Sequence, residues 1–174
     1  MLSNKTFSLP LKMSTILFML FFVASVNLPA QTDYIVSEGH IVGDFEGWDG
    51  ETLFEMSDGT FWIQAEYSYI YYYAYNPKAI VFKRGPNYYL KVERVRKILK
   101  VLPVDNVIKS RIDGDFKGFE GNTIYKLTNG TVWQQTDGKY QYKYAYSPRV
   151  VIYRVGFGWK MSVEGITVSV ERLK

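Results

Sequence analysis

The sequence predicts an all-β protein: two tandem small β-barrel repeats, SH3-like or OB-like, after an N-terminal signal peptide. Three observations carry this. One unit is written twice in the chain, at a fixed offset of 71 residues. Each copy holds an Asx-Gly pair between alternating apolar residues, the short-range mark of a β-hairpin. No window shows a sustained 3.6-residue apolar period that would indicate a helix.

Residues 1–30 contain Lys5 and Lys12, no acid, and an apolar run of eleven residues over 16–26. Asn27-Leu28-Pro29-Ala30 follows, and then the chain turns polar. A basic start, a short apolar stretch and a small residue at the end describe a secretory signal peptide. A membrane-spanning helix needs ~20 apolar residues. Cleavage is expected after Ala30, with Ser25 the alternative, and no stable membrane span after it.

The first copy runs over 33–104 and the second over 105–174, joined at Leu102-Pro103-Val104-Asp105-Asn106. Gly43-Asp44-Phe45-Glu46-Gly47 recurs as Gly114-Asp115-Phe116-Lys117-Gly118, and the offset holds without a gap over 43–93, with 19 identities in 51 positions. In the first copy a strand is expected at 41–45 and a turn at 47–50. A hairpin follows, with arms at 52–57 and 60–64 about Asp58-Gly59, which is Asn129-Gly130 in the second copy. Residues 67–75 alternate with period two. Strands at 78–83, 88–93 and 98–102 complete five or six per copy. A unit of ~70 residues buries only ~60% of its unfolded surface and is marginal alone, so the copies are expected to pack against each other.

Composition removes several chemistries. The chain has no Cys, so a disulfide scaffold, a thiolate metal site and a Cys nucleophile are excluded. Its one His, His40, aligns with Arg111 and leaves little for His-based catalysis. There is no P-loop and no GxGxxG motif, and the expectation is not an enzyme, with no cofactor and no metal. Asp44, Glu46, Asp49 and Glu51 cluster, but the second copy keeps acids only at Asp115 and Glu120 and the spacing fails the EF-hand pattern. Without residues 1–30 the net charge falls from +4 to 19 − 17 = +2, so no nucleic-acid partner is expected. The first copy nets −2 (8 bases, 10 acids) and the second +4 (11 bases, 7 acids), a sign difference that favours their docking.

Two sets of residues are candidates for ligand binding. If the hairpin loop has two residues, Glu55 pairs with Trp62 and Phe54 with Ile63. Trp62 and Gln64, with Trp133 and Gln135 in the second copy, then lie on the more polar face, where an indole and an amide can hold a ligand. A one-residue change in loop length reverses that assignment. The second set is a tyrosine row, Tyr69, Tyr71, Tyr73 and Tyr75, repeated as Tyr140, Tyr142, Tyr144 and Tyr146. Their spacing places them on one side of an extended strand. They can form an aromatic platform for sugar rings or a Pro-rich peptide. Sheet packing favours the other reading, a core face, with Gln141 and Lys143 turned outward.

The second copy's Asn129-Gly130-Thr131-Val132-Trp133-Gln134-Gln135 hairpin, Pro148-Arg149-Val150-Val151-Ile152-Tyr153, and Val163-Glu164-Gly165 together resemble a group of small uncharacterised exported bacterial β-domains. That group carries an NG-x-x-W-x-Q hairpin before two further strands ending in V-E-G. The first copy departs at Asp58 and Arg94. The resemblance implies a small β-barrel or sandwich and brings no activity.

These readings lead to an exported, periplasmic or extracellular tandem β-domain protein that binds a cell-envelope glycan or protein. A structural protein that self-associates through strand edges as a homo-oligomer is the alternative. A cell-wall hydrolase comes third.

Overall fold

In the computed structural model, residues 32–174 are described, and they form one compact unit. The expected signal peptide lies outside the described residues. The described chain is all-β. The first copy contributes β1 (Tyr34–His40), β2 (Asp44–Trp48), β3 (Leu53–Glu55), β4 (Phe61–Gln64), β5 (Ile70–Tyr75), β6 (Lys78–Arg84), β7 (Asn87–Val92) and β8 (Leu99–Pro103). The second repeats them as β9 (Ile108–Arg111), β10 (Asp115–Glu120), β11 (Ile124–Lys126), β12 (Val132–Gln135), β13 (Tyr140–Tyr146), β14 (Arg149–Val155), β15 (Gly158–Val163) and β16 (Ile166–Arg172). Each copy has eight strands rather than five or six: β1 precedes the expected first strand, which itself lies at Asp44–Trp48 after a turn at Gly43, φ 85°.

In each copy six strands form one curled antiparallel sheet, ordered β1-β6-β7-β8-β4-β3 and β9-β14-β15-β16-β12-β11. The curl brings the two edge strands to one point. Ile41 bridges Met56, and Ser57 N donates to His40 O at 2.8 Å. Ile112 bridges Leu127 in the same way. The remaining strands pair as separate two-stranded ribbons, β2-β5 and β10-β13.

The inner side of each ribbon covers its curled sheet. Phe45 and Trp48 of β2 are buried with Met56, Val81, Leu90 and Leu99, and Ile70, Tyr72 and Ala74 of β5 pack on the same cluster. Phe116 and Phe119 do this in the second copy, beside Tyr125, Trp133 and Ile152. A β-bulge in each ribbon lets both aromatics of β2, or of β10, turn inward. Gly47 and Gly118 occupy these bulges at φ 97° and 100°. A Cβ there would stand 2.1 Å from Ile70 O or Gln141 O, which is why glycine recurs at both positions.

The copies dock. The outer side of β3-β4 lies on β9 and β14: Phe61, Ile63, Val104 and Tyr153 form a buried cluster, with Leu53, Val107 and Val151 against it. Acids of the first copy meet bases of the second. Glu55 accepts from Lys109 Nζ at 2.7 Å and from Arg149, and Glu51 from Lys160 at 3.5 Å. The docking and its charge sense match the sequence expectation.

Candidate functional site

The hairpin about Asp58-Gly59 has a three-residue loop. Met56 N donates to Thr60 O at 2.9 Å, and only Gly59 of the loop has positive φ. The pairs are therefore Glu55 with Phe61 and Phe54 with Trp62, one residue away from the two-residue register. β4 therefore turns over relative to β3, which keeps Phe54 on the core face. The correction follows directly: Trp62, Gln64, Trp133 and Gln135 point into the barrels and are buried.

Their polar atoms are used internally. Trp62 Nε1 donates to Thr60 Oγ1 at 3.0 Å, and Trp133 Nε1 to Thr131 Oγ1 at 2.9 Å. Those threonines in turn donate to Asp58 Oδ1 and Asn129 Oδ1, so the loop residue, the threonine and the indole form one chain of bonds. Gln64 Oε1 accepts from Gly50 N, and its Nε2 donates to Glu66 O and Ser68 O. Gln135 accepts from Gly121 N and donates to Asp137 and Lys139 O. The Trp-x-Gln pattern thus holds the hairpin to the neighbouring loops, and no donor of it is left for a ligand.

The tyrosine rows are corrected in the opposite direction. The inward positions of β5 are Ile70, Tyr72 and Ala74, so Tyr69, Tyr71, Tyr73 and Tyr75 stand outward, 58–72% exposed. Tyr140, Tyr142, Tyr144 and Tyr146 are 58–76% exposed. In the first ribbon packing takes Ile70, Tyr72 and Ala74; in the second only Ala145 packs on the core, and Gln141 and Lys143 are exposed together with the rings. Successive rings on one face lie ~7 Å apart, two strand residues.

Each row carries one fixed carboxylate. Tyr73 OH donates to Asp44 Oδ1 at 2.9 Å, and Tyr144 OH to Asp115 Oδ1 at 3.2 Å. These bonds hold both phenols above their ordinary pKa, so they remain protonated donors well above neutral pH. The paired acids explain why Asp44 and Asp115 recur while Glu46 becomes Lys117. Among the described residues no group of His, Asp and Glu is placed to hold a metal ion.

The first ribbon borders a cleft of about 660 Å³. Tyr69, Tyr71, Asp44 and Glu46 line one side, and Lys143 and Glu164 of the second copy the other. This cleft depends on how the copies dock, which the strand pattern alone does not specify. Three further exposed rings among the described residues escaped the sequence reading: Tyr34 at the start of β1, Tyr67 beside Gly50, and Phe157 at the tip of the β14-β15 turn. The flanking Gly156 and Gly158 were the available signal for Phe157.

Comparison with protein-family models, with curated proteins and with solved structures gave no match.

Proposed function

We propose that this is an exported, non-enzymatic binding protein whose two tyrosine ribbons contact a cell-envelope glycan or protein. The observation that carries the reading is the outward row of four tyrosines on each ribbon, kept in both copies at positions the core does not use. A large exposed apolar surface is a cost to a soluble domain and marks an interaction site. Tyrosine suits it, since the ring stacks on an apolar ring face while the hydroxyl bonds a polar group. Asp44 and Asp115 add acceptors beside the rings. Two ribbons on one chain raise avidity where both engage the same ligand. The export rests on residues 1–30, and the resemblance to small exported β-domains accords with it.

The test is sedimentation binding to insoluble peptidoglycan, with titration of soluble glycans and envelope proteins alongside. The paired variant Tyr71→Ala with Tyr142→Ala is expected to lose binding, and Trp133→Phe to keep it. Binding that survives the tyrosine changes, or is absent throughout, removes the reading.

A strand-edge role is favoured by one observation. β5 and β13 each pair with a single strand, so one edge of each ribbon has no strand partner among the described residues. Another chain can add to such an edge by backbone hydrogen bonds. Hydrogen-exchange protection of residues 140–146 on partner addition, retained when the tyrosines are replaced, distinguishes this mode.

A further inference from the structure

We propose that molecules of this protein associate head to tail, by repeating between chains the junction that joins the two copies within one chain. The inference is independent of the tyrosine ribbons and concerns other faces.

The internal junction is heterologous. The first copy offers the outer side of β3-β4, and the second receives it on the outer side of β9-β14. Two different patches meet, so the contact leaves one of each unused. The second copy still has its own β11-β12 side, and the first copy its own β1-β6 side.

The second copy's unused side has kept most of the apolar residues of the junction, and the first copy's has kept Ile80. At the places of Leu53, Phe61 and Val104 the second copy has Ile124, Val132 and Leu173. Ile124 is 55% exposed and Leu173 48% exposed, and Val132 is half-buried, whereas Phe61 is buried by the partner copy. Only Ile63 has become polar, as Gln134. At the places of Val151 and Tyr153 the first copy has Ile80 and Phe82, whereas Val36, at the place of Val107, packs on the first copy's own core. Phe82 is buried beneath Tyr89, stacked on it at 5.6 Å, and the Arg84 guanidinium lies over both rings, so Ile80 is the apolar junction residue that this side still offers. A hollow of about 430 Å³ with Ile80 and Ala79 on its floor opens there, bordered by Glu38, Lys78 and Glu93. Its equivalent in the second copy, bordered by Arg149, Val151 and Glu164, is where Leu53, Glu55 and Phe61 of the first copy seat.

The charges identify the occupant. Inside the chain, Glu55 meets Lys109. On the unused sides, Glu55 is replaced by Lys126 and Lys109 by Glu38. Both members of the pair are reversed, and reversed together they are again complementary. A surface shaped only to end the array has no use for an apolar Ile124 and Leu173, nor for a compensated charge swap. Lys78 keeps the sign of Arg149, and Lys91, where the second copy has Ser162, is a second like charge in the hollow; Glu38 and Glu93 balance the two. The loop after β7, two residues longer than its counterpart, does not block the hollow, because Val95 folds back onto the first copy's own core.

Sedimentation velocity across a concentration series tests this on the purified protein. The average mass is expected to rise with concentration without settling at a closed dimer. Ile124→Asp is expected to hold it at one chain. Glu38→Lys and Lys126→Glu are each expected to weaken association by about tenfold. The two swaps combined in one chain restore it, a result that misfolding cannot produce. A mass of one chain at every concentration overturns the proposal. So does association that Ile124→Asp leaves intact, that the combined swap fails to restore, or that Tyr71→Ala with Tyr142→Ala abolishes.

Discussion

At the scale of single residues, Gln135 and Asp137 show how loops are tied to the second barrel. Gln135 is buried, and its amide joins Gly121 N, Asp137 and Lys139 O. Gln135→Leu keeps the volume and leaves the Gly121 amide without its acceptor, for a cost of about 1–3 kcal/mol in urea unfolding. Burial pushes the Asp137 carboxyl up, but hydrogen bonds from Gln135, Ser169 N and Lys139 N outweigh it and hold its pKa below the ordinary value. Asp58 is held low in the same way against burial, by Ser37 and Thr60. A carboxyl whose folded pKa is depressed adds stability above its unfolded value, near ~4, and loses it as pH falls through the folded value. Stability is therefore expected to be flat from neutral pH to about 5 and to fall below about 4. Asp58→Asn, which copies Asn129, is expected to flatten part of that fall when urea midpoints are compared across pH.

At the scale of elements, the ribbons separate what stabilises from what is displayed. Gly118→Ala meets Gln141 O and a φ of 100°, so it is expected to destabilise the protein by more than ~1 kcal/mol and to loosen the β10-β13 pairing, read as faster amide exchange. Tyr71→Ala and Tyr142→Ala remove exposed rings and are expected to shift stability by no more than about 0.5 kcal/mol, measured by thermal melting. The repeat, the all-β class and the tyrosine spacing were legible because each is a pattern of residue types along the chain. The face of each strand was not. A single extra residue in the Ser57-Asp58-Gly59 loop moved Trp62 and Gln64 from the outside to the core, and sequence does not distinguish that loop from the two-residue form. The tyrosines were assigned inward because rings pack well in sheets. Their actual direction follows from Ile70, Tyr72 and Ala74 being taken by the core, a competition decided in three dimensions.

At the scale of the whole molecule, β4 and β12 report the docking. All four residues of β4 are buried, because Trp62 and Gln64 face their own barrel and Phe61 and Ile63 face the second copy. In β12 only Trp133 and Gln135 are buried. Phe61→Asp places an unpaired charge in the junction beside Glu55, itself only 15% exposed. One cooperative unfolding transition is expected for the native chain and two for this variant, resolved by calorimetry. The ribbons have consequences of another kind. Because their outward residues contribute little to folding, each duplicate was free to drift in what it displays. Glu46 on one became Lys117 on the other, against the same aromatic background. The two displayed faces therefore differ in charge on one inherited frame, and if they bind as proposed, a ligand with separated positive and negative groups would be sorted end for end.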